Sequence, residues 1–461
     1  MSEALIAALS KAAPAERAVL TGEAAKEKAT SDWSRMGTPL AVVRPSSTAE
    51  VSAVLRLCCD AGVPVTAWGG KTGLVQGGFA DGHVALSLER MAAIEEVDVV
   101  GGTISVEAGC ILQTAAQATE AQGLLLPIDL GARGSATIGG VLSTNAGGNR
   151  VIRYGMAREM VLGLEAVLAD GTVISSMNHL IKNNTGYDLK QLFIGSEGTL
   201  GVITRAVIRL RPLPTSQDTA FAGVAQFADL PRLLRHMERG LAGSLSAFEV
   251  MWREYYDLVT SPPALGRPPL AGRHPFYVLI EAQGADQAAD SARFEAVLMD
   301  ALEQGLIADA ALAKSQSERN AMWELRDDIS QTARHWPIFT FDVSLKIADM
   351  EAYVAEVRAA LMAGWPDKAT LTVFGHLGDG NLHLVVGVGS RAKETKTAVE
   401  AVVYGAVRAR GGSISAEHGV GLEKRAYLGW SRTPPEVALM RTLKAALDPR
   451  NILNPGKVLA V

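Results

Sequence analysis

The rhythm of apolar and polar positions changes several times along the chain. In "STAEVSAVLRLCCDAG" (Ser47 to Gly62) apolar residues recur at helical spacing. Ser47 is placed as an N-cap, Glu50 as its reciprocal partner three residues on, and Gly62 as the stop. The runs "VPVTA", "HVALSL" and "GGTISVEAG" that follow are short and β-branched, so they read as strands. Helices alternating with strands predict an α/β layer up to about Pro214. "RLRPLPTS" (Arg209 to Ser216) marks a boundary, because two prolines interrupt a strand. Beyond it a strand-then-helix theme recurs. "TAFAGVAQ" precedes a helix ending at "MERG", and "PFYVLIEAQG" precedes one ending at "LEQG". "FTFDVSLKIADMEAYVAEVRAAL" and "HLVVGVGS" with "AVEAVVYGAVRARGG" repeat it. This predicts an antiparallel sheet covered by helices, with "GRPPLAGRHP" as a loop inside it. The closing "LDPRNILNPGKVLAV" has two Pro-containing turns and no room for a domain. The expected division is 1–214, 215–420, and a segment 421–461 that packs back on one of them.

With 461 residues, 48% of them hydrophobic, the chain can bury a sizeable core. The net charge of −5 gives no basic surface for nucleic acid or an anionic membrane. No run of apolar residues is long enough to span a bilayer. The N-terminal "MSEALIAALSKAAPAERAVL" reads as a helix without the apolar stretch and cleavage site of a signal peptide. Cys58, Cys59 and Cys110 form no CxxC pair, which argues for small core residues rather than a disulfide or metal framework. These features lead to the expectation of a soluble, cytoplasmic protein.

Two glycine-rich loops interrupt the first region. "AWGGKTGLVQGG" (Ala67 to Gly78) contains "GGKT" but has Val65 where a P-loop needs its first glycine. No G-x-G-x-x-G fingerprint occurs either. Gly69, Gly70 and Gly73 follow a strand, and backbone N–H groups in such a loop can form an anion nest; a glycine-rich turn that binds nothing is the alternative. "PIDLGARGSATIGGVLSTNAGGNRVIRYG" (Pro127 to Gly155) is too long for a plain connection. Its sparse charge suits an uncharged polycyclic ligand. "GSEGTLGVIT" (Gly195 to Thr204) reads as a turn, then a strand.

"FGHLGDGNLHL" (Phe374 to Leu384) places His376 and His383 on either side of a Gly-Asp-Gly-Asn turn. A tight turn can bring both imidazoles to one point, which is metal-ligand geometry, although two ligands are not a site and two satisfied loop histidines are the plainer reading of this motif alone. In "SISAEHGVG" (Ser413 to Gly421) Glu417 and His418 are adjacent on what reads as a short strand. They would then point to opposite sides, one to a metal and one to a reacting group.

Taken together, the two loops, "GSEGTLGVIT" and "NPGK" resemble the FAD-binding domain of the vanillyl-alcohol oxidase type. From about Pro39 to Lys457 the chain is similar to the FAD-dependent D-2-hydroxy-acid dehydrogenases, which include D-lactate dehydrogenases, the glycolate oxidase flavin subunit and D-2-hydroxyglutarate dehydrogenase. The resemblance implies an α+β protein, with an FAD-binding domain and an antiparallel-sheet substrate (cap) domain under covering helices. Gly69, Gly70, Lys71, Thr72, Gly73 and Leu74 would cradle the pyrophosphate. Pro127, Leu130, Gly131, Ser135, Ile138, Gly139, Gly140, Asn145, Gly147, Gly148, Gly198, Ile203 and Asn454 would line the rest. The first loop has no histidine, so FAD is expected to be held noncovalently. The resemblance assigns His376, His383 and Glu417 to a divalent metal, usually zinc, and makes His418 the general base. Arg326 and Ser330 would bind substrate, the former gripping its carboxylate; a surface ion pair with Asp327 or Asp328 is the plainer alternative for Arg326. Asp379 and Asn381 would support the ligands, Asn381 also meeting substrate.

The implied reaction is oxidation of a D-2-hydroxy acid to the 2-oxo acid. The implied partners are that small molecule and an electron acceptor such as an electron-transfer flavoprotein or a quinone. A homodimer is compatible. A metal-dependent hydrolase explains the histidines but leaves the glycine loops idle, and an electron-carrying flavin subunit remains open. Within the family, hydroxyglutarate members carry a lysine where this chain has Thr340 and an asparagine where it has Val385. With Trp336 and Phe339 nearby, this predicts a preference for an uncharged side chain.

Overall fold

The computed structural model describes residues 2–460. Contacts divide the chain into two units. One comprises the chain up to Gly148, then Gly155–Leu213, then everything from Glu417; the other comprises Asn149–Tyr154 and Pro214–Ala416.

In the first unit, strands Ala41–Val43, Val84–Ser87 and Val65–Trp68 pair in parallel, and Val19–Leu20 joins the edge antiparallel. The first two of these parallel strands are buried throughout, as expected of a parallel sheet covered on both faces. Helix Thr48–Ala61 is the crossover between Ala41–Val43 and Val65–Trp68. Ser47 Oγ accepts the Glu50 N–H at 3.2 Å, and Gly62 closes the helix at φ 64°. The Glu50 carboxylate accepts from Ser46 N–H at 2.8 Å, one residue earlier than a reciprocal cap requires. A second sheet has five antiparallel strands in the order Ile94–Asp98, Thr103–Glu107, Val202–Arg209, Val161–Val167, Val173–Ser176. The chain's end returns to the parallel sheet: Leu453 bridges Val65, and Asn454 N–H donates to Val65 O at 2.8 Å.

The second unit is built on one antiparallel sheet of seven strands, and each strand-then-helix stretch of the sequence supplies one strand and one helix. From one edge the strands run Asp309–Leu312, Ser216–Val224, Phe276–Gly284, Leu245–Trp252, Thr370–Gly375, Asn381–Gly387, Ile338–Ser344. Leu245–Trp252 is buried at every position and carries a single charge, Glu249. Phe276–Gly284 likewise carries Glu281, which is fully buried. Its carboxylate is satisfied by Arg150 Nε at 3.1 Å, Ser246 Oγ at 2.8 Å and Trp323 Nε1 at 3.0 Å. A buried charge is tolerated when paired and bonded in this way. Among the described residues, no helix is long and apolar enough to cross a membrane.

Candidate active site

The two glycine loops meet in the first unit. Strand Val65–Trp68 delivers Gly69, where a Cβ would stand 2.4 Å from Thr137 Oγ1; at Gly70 it would stand 1.9 Å from Ser135 O. Only glycine permits that approach. Thr137 caps helix Ile138–Thr144, its hydroxyl accepting the Gly140 N–H at 3.4 Å. Asn145 ends the helix in the left-handed region, and its Oδ1 accepts the Arg158 N–H at 2.9 Å. Gly139 packs on Ala108 and Gly148 on the carbonyl of Asp129. Gly198, at φ 71°, abuts Asn454 Nδ2. Asn454 Oδ1 in turn accepts the Ala67 N–H at 3.1 Å. Pro127, Ile138, Gly147 and Ile203 are buried, whereas Leu130, Lys71 and Thr72 are half-buried. Gly73, Gly131 and Ser135 are exposed, Gly73 and Gly131 face open space, and Leu74 is exposed. Lys71 turns its Nζ to the carbonyl of Lys28 at 2.8 Å. Small, neutral, backbone-rich walls of this kind suit a dinucleotide.

The histidine turn is a hairpin in the second unit. Strands Thr370–Gly375 and Asn381–Gly387 flank the turn Leu377–Asp379, and Gly380 takes φ 85°. The rings of His376 and His383 come within 5.3 Å, centroid to centroid, as the tight turn predicted. His376 Nδ1 lies 2.8 Å from Glu249 Oε1, and Arg326 Nε donates to Glu249 Oε2 at 2.7 Å. Burial pushes the Glu249 carboxyl up, but His376 and Arg326 outweigh it and hold it at about 2. Glu249 is therefore an acceptor, and His376 donates from Nδ1. Arg326 Nη2, 3.2 Å from His376 Nε2, can only donate, so Nε2 keeps a lone pair. Arg326 is 3% exposed. The surface ion pair is thus not what it makes: its main partner is Glu249, with Asp327 more distant at 3.6 Å.

A second buried carboxylate sits beside His383. Asp342 pairs with His383 across the ladder and accepts from Asn381 Nδ2 at 2.7 Å. It also accepts from Ser415 Oγ at 3.2 Å and Ala416 N–H at 3.1 Å. Those last contacts bend the chain, so Ser413–Gly421 is not the strand its sequence suggested. The alternation that placed Glu417 and His418 on opposite sides loses its basis. Both side chains are half-buried, with His418 Nε2 at 3.8 Å from Glu417 Oε1. Asn381 Oδ1 is buried without a partner, an acceptor facing no donor. Ser330 is exposed and bonds Asp328, and Thr340, also exposed, lies opposite buried Val385. Sequence reasoning missed Glu249 and Asp342. The available signal was a lone carboxylate inside an apolar strand, "LSAFEVMW" and "FTFDVS".

The fold is that of the vanillyl-alcohol oxidase-type flavoproteins. The 4-ethylphenol oxidase from Gulosibacter chungangensis superposes with a TM-score of 0.77 at 19% identity, over 99% of this chain and 96% of that one. The FAD binding domain family matches residues 39–176, and the FAD linked oxidases, C-terminal domain family matches 213–458. D-2-hydroxyglutarate dehydrogenase from Bos taurus is 41% identical over 100% of this chain and 84% of its own. The Arabidopsis thaliana protein of that name is 39% identical over 96% and 79%. The chain belongs to the FAD-linked D-2-hydroxy-acid dehydrogenases. Both relatives are named as mitochondrial, which overturns the cytoplasmic expectation. Composition and cysteine usage report solvent and redox setting, and these do not separate the two compartments.

Proposed function

We propose that this chain oxidises a D-2-hydroxy acid, with D-2-hydroxyglutarate, the substrate named for both relatives, as the first candidate. The observation that carries the reading is the His376–His383 hairpin with its Glu249 support, set in a chain 41% identical to such an enzyme throughout. Noncovalent FAD in the glycine-lined cradle would supply the two-electron acceptor for the α-hydrogen. His376, His383 and Glu417 would hold a divalent metal, zinc by family resemblance, which would acidify the substrate hydroxyl.

The state of the His376 ring suits such an ion. His376 Nε2 retains its lone pair because Nδ1 keeps the proton and donates it in a hydrogen bond to Glu249, the usual support of a ligating histidine. Glu417 directly follows Ala416, whose N–H is tied to the ladder partner of His383. An ion on Nε2 would compete with Arg326 Nη2 for the same lone pair, leaving that N–H for a substrate carboxylate. His418 takes the hydroxyl proton. The reduced protein would pass electrons to an electron-transfer flavoprotein or quinone.

A second reading keeps the chemistry but changes the far end of the substrate. Thr340 and Val385 are cross-strand partners, and neither carries charge. An uncharged substrate side chain suits that pair.

Anaerobic D-2-hydroxyglutarate should bleach the yellow protein, and EDTA should abolish turnover with FAD retained. His418→Ala should slow flavin reduction by on the order of 10²–10⁴-fold while sparing FAD and metal. Full activity in metal-free protein would overturn the metal assignment, and metal loss in the histidine variant would reverse the roles of Glu417 and His418.

A further inference from the structure

The segment after His418 has no regular structure, yet one buried carboxylate holds it. Glu197 Oε1 accepts the Val420 N–H at 2.6 Å, and Oε2 accepts the Gly421 N–H at 2.8 Å. Glu197 is 8% exposed, and its own backbone sits at φ 52°. A non-glycine residue takes that conformation at a cost that the surroundings must impose. Asn454 Nδ2 bonds the Glu197 carbonyl at 2.5 Å. Burial raises the Glu197 carboxyl, and the Val420 and Gly421 N–H groups, then Lys424 and Lys457, oppose that rise. Gly419, at φ 85°, lies against the carboxylate, where a Cβ would approach to 2.9 Å.

The same segment is tied to the first glycine loop. Val75 O accepts the Leu422 N–H at 3.0 Å, and a Cβ on Gly421 would fall 2.1 Å from that oxygen. Glu197 itself follows Ser196 on the other side: its N–H donates to Ser143 O at 2.8 Å, inside the second glycine loop. Glu197 therefore joins the second loop, through its backbone, to the residues just beyond His418, through its side chain, and Leu422 carries that segment on to the first loop.

We propose that Glu197 is a positioning residue for His418, fixing the imidazole through the Val420 and Gly421 amides and linking its placement to the two glycine loops. The inference rests on the reading of His418 as the base. A carboxylate is needed because two N–H groups converge on two acceptor oxygens; an amide would present an N–H to one of them. Such donors to a buried carboxylate are the stronger class of hydrogen bond.

The test is anaerobic rapid-mixing with D-2-hydroxyglutarate, read as flavin reduction rate per bound FAD. The proteins are wild type, Glu197→Gln, His418→Ala and the double variant. Glu197→Gln should reduce on the order of 10²-fold more slowly per bound flavin, the usual cost of a misplaced group. Reduction by dithionite should be unchanged. The double variant should be no slower than His418→Ala, because the two act as one device. A wild-type rate per flavin in Glu197→Gln, or effects that multiply, would overturn the proposal. A wild-type rate in His418→Ala would instead remove the base assignment, and the proposal with it, while leaving the flavin reading intact. If Glu197→Gln does not yield flavoprotein, Gly421→Ala displaces the same amides from the Val75 side. It should show the same slow reduction and the same non-additivity, and a wild-type rate there would overturn the proposal.

Discussion

His376 Nδ1 and Glu249 Oε1 lie 2.8 Å apart although 127 residues separate them in the chain. That contact fixes the ring's tautomer. It places the proton on Nδ1 and the lone pair on Nε2, the state in which imidazole can bind a cation.

Glu249→Gln should therefore weaken metal binding by roughly 10–100-fold, the usual effect of losing a ligand's carboxylate partner. It also leaves Arg326 buried without its counter-charge, which costs about 3–5 kcal/mol of stability. Competition against a chelator measures the first and denaturant unfolding the second. Unchanged metal affinity in a folded variant would show that His376 is not oriented through Glu249.

FAD should leave the protein entirely on acid precipitation. The loop from Ala67 to Gly78 offers no histidine to bond the flavin. Yellow colour remaining in the pellet would reveal a covalent tether elsewhere.

Lys457 gives the first unit a pH-dependent stability. Burial pulls its ammonium down, with Glu197 opposing, to about 7 from the usual 10.5. Between those values the unfolded chain binds a proton that the folded chain does not. Stability should thus fall as pH drops from about 10.5 towards 7, by at most ~1.4 kcal/mol per pH unit, and level off below. Unfolding free energies between pH 7 and 9.5 should show this slope, and Lys457→Met should flatten it. An equal slope in the variant would assign it to other groups.

The legible parts of this protein were those with local causes. Ser47 and Gly62 bound their helix because capping depends on neighbouring residues. The His376–His383 contact follows from the short turn between their two strands, a local feature. The strand order of the seven-stranded sheet was not legible, since pairing of Leu245–Trp252 with Thr370–Gly375 is set by remote packing. Ser415 and Ala416 read as strand by composition, but Asp342, 73 and 74 residues earlier, captures them and bends the chain. Long-range carboxylates decided both the site's shape and the place where sequence reasoning failed.

The substrate's far end supplies the last prediction. Thr340 and Val385 face each other between the edge strand Ile338–Ser344 and its neighbour Asn381–Gly387, the strand that carries His383. Val385 is 3% exposed and apolar, whereas Thr340 is open to solvent. Lys346 is exposed and lies beyond the end of that strand, six residues from Thr340. Trp336 is 64% exposed, with the Arg391 guanidinium 4.9 Å from its ring centroid. A substrate whose far end lay against this pair would meet the Thr340 hydroxyl and no charge. A second carboxylate seated there would forgo a charge-assisted contact worth about 1.5–3 kcal/mol. The wild-type preference for D-2-hydroxyglutarate over an uncharged D-2-hydroxy acid of similar length should accordingly be modest. Thr340→Lys should raise the ratio of their kcat/KM values by roughly one to two decades. Steady-state kinetics with a dye acceptor measures both ratios. A ratio unmoved by the lysine would place the far carboxylate away from Thr340, and a wild-type ratio already as high as that of the lysine variant would mean another cation grips it.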